Sequence, residues 1–332
     1  FTRTGLLAIP VVGDGGVILT WDGSSWRSIA SPTTDYLSAI DMISATDGWI
    51  GGRQGLLLRW NGTSWSRFDN PPITETIYDI DMVSSSQGWA VGGYSASSIL
   101  YWNGSAWTTV FHSNSEYLSH IRMLSPTDGW AVGSTAFHWN GSQWQEAPDM
   151  IDRFMALDFV APNNGWAVAA ADVIAHWDGT RWQTITTPDF PLVMWNSLKM
   201  VSPTDGWAVG QSGMIAHWDG ASWTPLDRRD WEHFDLYAID MLAANDGWIV
   251  GEDGLVLHWN GQAWSAVPGP GQGGLFALSI VSATNVWVVG IAIWHWDGAT
   301  WTEVLGLGSG TLRSVDMVSA SNGWAVGDEG RG

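Results

Sequence analysis

The sequence predicts an all-β fold, an eight-bladed β-propeller of four-stranded antiparallel blades, on three observations. A unit built round a Gly-Trp pair returns every 36 to 41 residues, each copy divides into four short strand-like runs, and the two ends of the chain supply complementary halves of one further copy. A period of that length marks one supersecondary unit copied many times.

The first complete copy contains DGWIGGRQGLLLRWNGTSW, running from Asp47 to Trp65. The Gly-Trp pair recurs at Trp89, Trp130, Trp166, Trp207, Trp248 and Trp324, and at Trp287 with Val286 in place of the glycine. Alternation, β-branched and aromatic residues, and intervening turn signals define four strands. In this copy strand A is expected at 37–43, B at 48–52, C at 56–60 and D at 64–68. The B–C turn is glycine-rich. The C–D turn is Trp-Asn/Asp-Gly, the sequence of a two-residue hairpin, because Asn, Asp and Gly tolerate positive φ.

Strand A recurs at 78–83, 119–124, 155–160, 196–201, 237–242, 276–281 and 312–318, giving eight. The Trp-Asn/Asp-Gly turn also occurs eight times, at Trp21, Trp60, Trp102, Trp139, Trp177, Trp218, Trp259 and Trp296. The counts are offset. The N-terminus supplies C and D (16–21 and 25–29) without an A, and the C-terminus supplies A and B (312–318 and 323–327) without a C or D. Joined, the ends complete a blade and leave no open edge at the seam, whereas an open solenoid carries polar caps. The expectation is a single propeller domain over residues 1–332. Residues 7–13 look like a ninth strand B, and the Gly/Pro-rich stretch 267–274 reads as a D–A loop.

Composition narrows function. The 27 tryptophans sit mostly at repeat positions and read as blade packing. A net charge of -20, from 33 acidic and 13 basic residues, repels phosphate backbones and argues against nucleic acid as a partner. With no cysteine there is no disulfide framework and no thiolate metal site. No run reaches 18 apolar residues, so no membrane-spanning helix is expected. No cofactor is expected, and the chain is expected to be a monomer. Lys199 is the only lysine, the chain is acidic and its first residue is Phe1, which together point to a processed, extracellular or cell-surface bacterial protein. Asn61, Asn103 and Asn140 fit the N-glycosylation acceptor pattern, and also fit plain Asn-Gly turns, the reading preferred here.

The Gly-Trp-Ala-Val-Gly…Gly…Trp-Asp/Asn-Gly…Trp unit resembles the repeats of propellers related to the photosystem II stability and assembly factor. It is more loosely similar to the Asp-box repeats of sialidase-like propellers. The stricter Asp-box pattern is not met: His176 stands where its serine belongs, and no spacer separates Asp178 from Gly179. The first resemblance implies a protein-binding role. The second implies glycan hydrolases or non-catalytic binding modules.

Three sets of residues are candidates. The first is the mouth of the channel, where D–A loops meet the head of strand A. The head position does not follow the repeat, reading Ser38, Tyr78, Ser119, Met155, Asn196, Tyr237, Phe276 and Arg313, and the loops add Arg153, Trp195, Asp230, Trp231 and His233. Exposed aromatics beside polar groups suit a peptide or a sugar, and variable loops on fixed blades are where recognition sits. The ligand-binding set is Tyr78, Arg153, Trp195, Asp230, Trp231, Tyr237, Phe276 and Arg313. The second candidate is a ring on strand A: Asp41, Asp81, Arg122, Asp158, Lys199, Asp240, Ser279 and Asp316. It reads either as a cation or polar-ligand channel, or as a solvated wall with aspartates bonded to backbone donors of the next blade; the second reading is preferred because a wide ring spreads hard-cation ligands apart. The third is a histidine stripe, His138, His176, His217, His258 and His295, one per blade and therefore too separated for shared metal coordination.

An enzyme is disfavoured. Glycoside hydrolysis needs two carboxylates facing across a cleft, and the one conceivable pair is Asp230 with Glu232. The expected function is a non-catalytic binding or scaffold module using the D–A loop face, with a protein favoured over a glycan and a sialidase-like hydrolase or lyase as the alternative.

Overall fold

The computed structural model describes residues 16–69, 71–93, 96–114, 116–147, 154–169, 173–185, 194–227, 230–269, 271, 273–306 and 310–328. These form eight four-stranded antiparallel sheets, each ordered A-B-C-D. The fold class is the expected eight-bladed β-propeller. The chain divides into two compact units.

One unit takes the described residues between 16 and 147 and between 304 and 328. It holds blade 1 (Leu37–Ser44, Asp47–Gly52, Leu57–Trp60, Trp65–Arg67), blade 2 (Ile77–Ser84, Gln87–Gly92, Ser97–Trp102, Trp107–Ser113) and blade 3 (Leu118–Ser125, Asp128–Gly133, Ala136–Trp139, Trp144–Glu146). It also holds blade 8, made of Thr311–Ser319 and Asn322–Asp328 followed in the sheet by Val17–Trp21 and Trp26–Ser28. Both ends of the chain therefore build one blade, as the offset counts require.

The other unit takes the described residues between 154 and 303. It holds blade 4 (Phe154–Ala161, Asn164–Ala169, Ile174–Trp177, Trp182–Ile185), blade 5 (Trp195–Ser202, Asp205–Gly210, Ile215–Trp218, Trp223–Pro225) and blade 6 (Leu236–Ala243, Asp246–Gly251, Val256–Trp259, Trp264–Ala266). Blade 7 follows (Leu275–Ser282, Asn285–Gly290, Ala292–Trp296, with its last strand beginning at Trp301).

Within each unit, tryptophans hold neighbouring blades together. The strand-B indole of one blade sits against the C-end and D-start indoles of the next blade of that unit. Trp324 meets Trp60 and Trp65 at ring-centre distances of 4.8 and 5.4 Å. Trp49 meets Trp102 and Trp107 at 4.8 and 5.3 Å. In the other unit Trp166 meets Trp218 and Trp223, Trp207 meets Trp259 and Trp264, and Trp248 meets Trp296 and Trp301. Several of these contacts are edge-on, the arrangement the ring quadrupole favours by roughly 0.5–1.5 kcal/mol beyond burial. The C-end indole does a second job: its N–H donates to a carbonyl of the A–B turn in its own blade, as from Trp60 to Ala45 and Trp218 to Pro203.

The glycine of the Gly-Trp pair answers a close approach from strand A. A Cβ placed on Gly206 would lie 2.3 Å from Met200 Sδ. The same overlap recurs wherever a methionine faces the glycine, and Phe159 plays that part for Gly165. Blade 7 shows why the rule breaks there: Val286 pairs with the shorter, branched Ile280.

Two sequence expectations need correction. Strand D pairs with strand C as Trp60 with Trp65 and Trp21 with Trp26, so the C–D connection is a four-residue loop, not a two-residue hairpin. The reason is the Asx side chain. Asn61 Oδ1 accepts the N–H groups of Thr63 and Ser64 and the Thr63 hydroxyl, closing the longer loop over Gly62 at φ 91°. Where the residue is aspartate, as at Asp22, Asp178, Asp219 and Asp297, these donors hold the carboxyl below its usual range. Strand A also starts earlier than expected in several blades, at Ile77, Leu118, Phe154, Trp195, Leu236 and Leu275. The ninth strand-B candidate, 7–13, lies outside the described residues.

Candidate functional site

The earlier start of strand A defines the site. In blade 6, Leu236 pairs with Gly251 and Ala238 with Val250, so Tyr237 is an extra residue. The same shift brackets Ser38, Tyr78, Ser119, Met155, Asn196, Phe276 and Arg313. Every residue of the variable head position is thus a β-bulge, lifted out of the ladder and re-aimed. A second glycine marks the geometry: a Cβ on Gly251, at the end of strand B, would lie 2.4 Å from the carbonyl oxygen of Asp235, the residue before strand A. That carbonyl accepts the N–H of Glu252 in the B–C turn at 2.8 Å. Loop, bulge and turn are therefore one hydrogen-bonded end of the blade.

The bulged side chains do two things. Small polar ones reach the next blade: Ser38 donates to the Ile77 carbonyl, and Asn196 Nδ2 donates to the Leu236 carbonyl at 2.8 Å. Aromatic ones pair with a ring of the next blade. Tyr78 meets Tyr117 edge-on at 5.6 Å, and Tyr237 stacks on Phe276 at 5.4 Å with 23° between planes. These four rings are half-buried, as is Arg313, whereas Ser38, Ser119 and Met155 are buried.

The remaining predicted ligand residues fare differently. Trp195 is fully buried; it is the first residue of its strand, pairs with Gly210 and sits in the core between blades 4 and 5. Trp231 is 7% exposed and lies over the B–C turn of blade 5, where a Cβ on Gly213 would come within 2.3 Å of its carbonyl oxygen. Neither is an exposed platform, because burying an indole in these cores outweighs leaving it in water. Asp230 is exposed in the loop before blade 6, and Arg153 lies outside the described residues. Sequence reasoning missed Tyr117 and the bulge itself. The glycine ending strand B was the available signal, since glycine inside a strand often marks a bulge.

The polar ring on strand A resolves mainly into latches between blades. Asp41 Oδ2 accepts the N–H of Met82 at 2.6 Å, Asp81 Oδ2 that of Met123 at 2.8 Å, and Asp158 Oδ2 that of Met200 at 2.9 Å. Asp79 repeats the device one step higher, on the N–H of Ile121. Blade 5 carries a cation instead. Lys199 Nζ stands 3.8 Å from Asp158 and 3.6 Å from Asp240, and the N–H of Met241 turns to its own Asp240 carboxylate. Burial pushes the Asp240 carboxyl up to about 6, with Lys199 pulling the other way. Arg122 and Asp316 occupy the corresponding strand-A positions of blades 3 and 8.

Each histidine of the stripe is held within its own blade. His138, His217 and His258 pair through Nε2 with Asp128, Asp205 and Asp246 at 2.8, 2.8 and 2.9 Å, and His176 and His295 with Asn164 and Asn285. Each ring lies on its strand-B indole, as His217 does on Trp207 at 4.1 Å. Burial lowers the pKa of His176 and of His295, the two that face an amide.

No protein-family model matches this chain, and no curated protein matches it. Solved structures match it by fold. YCF48 bound to D1 peptide is 15% identical with a TM-score of 0.60, covering 92% of this chain and 99% of that one. YCF48 from Cyanidioschyzon merolae is 13% identical with a TM-score of 0.60, covering 85% and 99%. Saccharomyces cerevisiae Sqt1 is 10% identical with a TM-score of 0.68, covering 91% and 98%. The resemblance to the photosystem II assembly-factor propellers is thus present in the fold, and the looser Asp-box likeness is not carried by these structures.

Proposed function

We propose that this chain is a non-catalytic scaffold that binds protein partners at the end of its blades where strand A begins. The bulge is the observation that carries this reading. In all eight blades one residue leaves the ladder at the same place, and the chemistry of that residue changes from blade to blade while the backbone does not. A fixed backbone presenting variable side chains is the layout of a recognition surface. A structure of similar fold, YCF48, holds a D1 peptide, which supports the same kind of partner here.

Protein is favoured over glycan because Trp195 and Trp231, the aromatics on which a sugar platform would rest, are buried. Hydrolase chemistry finds no support at Asp230 and Glu232: both are exposed, and Glu232 faces His233 at 3.6 Å across an open loop. The acidity and single lysine make an extracellular or cell-surface setting part of the proposal, which cell fractionation tests.

The test is a pull-down from native extract beside a glycan array, with Tyr78→Ala, Tyr237→Ala and Phe276→Ala compared with the parent. Discrete protein partners lost on at least one substitution support the reading. Partners retained by all three variants, or a glycan bound with no protein captured, overturn it.

A further inference from the structure

Building on the protein-binding reading, we infer that blades 6 and 7 receive a basic, extended segment of the partner, seated on the Tyr237–Phe276 stack. Between Arg229 and Arg313 the sequence contains no lysine or arginine and nine carboxylates. This stretch spans all of blades 6 and 7, and Lys199 of blade 5 reaches it at Asp240, 3.6 Å from Nζ. Five of the nine, Asp230, Glu232, Asp235, Glu252 and Asp253, fall in the loop before blade 6 and in its B–C turn, at the end where strand A begins. Hydrogen bonds hold two of the five: Asp235 N–H donates to Glu252 Oε2 at 3.3 Å, and Ser212 N–H to Asp235 Oδ1 at 3.0 Å.

The aromatic stack supplies the contact surface. Tyr237 and Phe276 are the bulged residues of adjacent blades and lie nearly parallel. Gly274 lets the chain pass against them: a Cβ there would stand 2.8 Å from Phe276 and 3.4 Å from Tyr237. Half-buried rings present a negative π-face, and a guanidinium or ammonium over such a face gains roughly 0.5–2 kcal/mol. The excess of carboxylates in this loop and turn adds long-range attraction for a basic segment and repels an acidic one.

The experiment uses three synthetic 12-residue peptides in which arginine, glutamine or glutamate alternates with serine, titrated against the purified chain by calorimetry at low and high salt. The arginine peptide is expected to bind, to weaken as salt rises, and to exceed the glutamine peptide by at least about tenfold, with the glutamate peptide silent. Tyr237→Ala with Phe276→Ala is expected to weaken the arginine peptide about tenfold, the size of one lost cation–π contact, while Tyr237→Phe keeps binding. Thermal unfolding confirms that each variant is folded. Equal binding of the glutamine peptide, undiminished binding by the double variant, or no binding of the arginine peptide overturns this inference. None of those results touches the protein-binding reading, which falls only when the extract pull-down captures no partner that depends on the bulged residues.

Discussion

Replacing Gly206 with alanine tests the account of how each blade is built. The new Cβ would fall 2.3 Å from Met200 Sδ and 2.5 Å from its Cε, with the Lys199 carbonyl at 3.3 Å. Met200 is 5% exposed and belongs to the core between blades 4 and 5, so its thioether has little room to withdraw. Overpacking of this kind costs about 1–3 kcal/mol, offset in part by about 0.5–1 kcal/mol from removing a strand glycine. Gly206→Ala alone should therefore lose roughly 1–2 kcal/mol. Met200→Ile, which conserves volume, should lose less than about 1.5 kcal/mol. Together they approach the Ile280–Val286 pair of blade 7, and the double variant should recover about 1 kcal/mol relative to the sum. Urea unfolding with a common m-value is the assay. Gly206→Ala at parental stability, or strict additivity in the double variant, refutes the packing argument.

Four further outcomes follow from the contacts between and within blades. Asp81→Ala removes the acceptor of the Met123 N–H and should cost about 2–3 kcal/mol in urea unfolding, whereas Asp81→Asn, which keeps an oxygen there, should cost about half as much. Trp324→Ala should cost about 3–5 kcal/mol, since Trp324 is 1% exposed and packs on Trp60 and Trp65; deleting residues 321–332 removes the strand joining Thr311–Ser319 to Val17–Trp21 and should abolish cooperative unfolding of that unit. Asp240 takes up a proton more readily when folded, because burial raises its carboxyl to about 6, above the ordinary aspartate value of 3.8; stability should fall as pH rises from about 4 to about 6, and Asp240→Asn should flatten that slope in pH-dependent thermal unfolding.

The repeat was legible because its signals are local. Tryptophan spacing, glycines and Asn/Asp-Gly turns each report a backbone requirement within a few residues, and the offset of the two ends foretold a blade built from both. The C–D loop was misjudged by two residues because Asn-Gly suits either a tight hairpin or an Asx-closed loop, and only the pairing of Trp60 with Trp65 decides. Trp195 reads as a loop residue because no turn signal separates it from the preceding residues; its fate is set by the core it enters, not by its neighbours in sequence. The aspartate latches were foreseen in kind, while the pairing of Tyr237 with Phe276 needs the register between blades, which no single repeat contains. The bulge escaped because an inserted residue at the head of a strand leaves the following alternation intact.

Photocrosslinking tests the central claim most directly. A benzophenone amino acid placed in turn at Tyr78, Tyr237 and Phe276, and as controls at the exposed C–D loop positions Thr63 and Ser142, is irradiated in native extract. Discrete protein adducts are expected from the bulged positions and none from the loops. Adducts from the loops alone, or from neither set, contradict the claim.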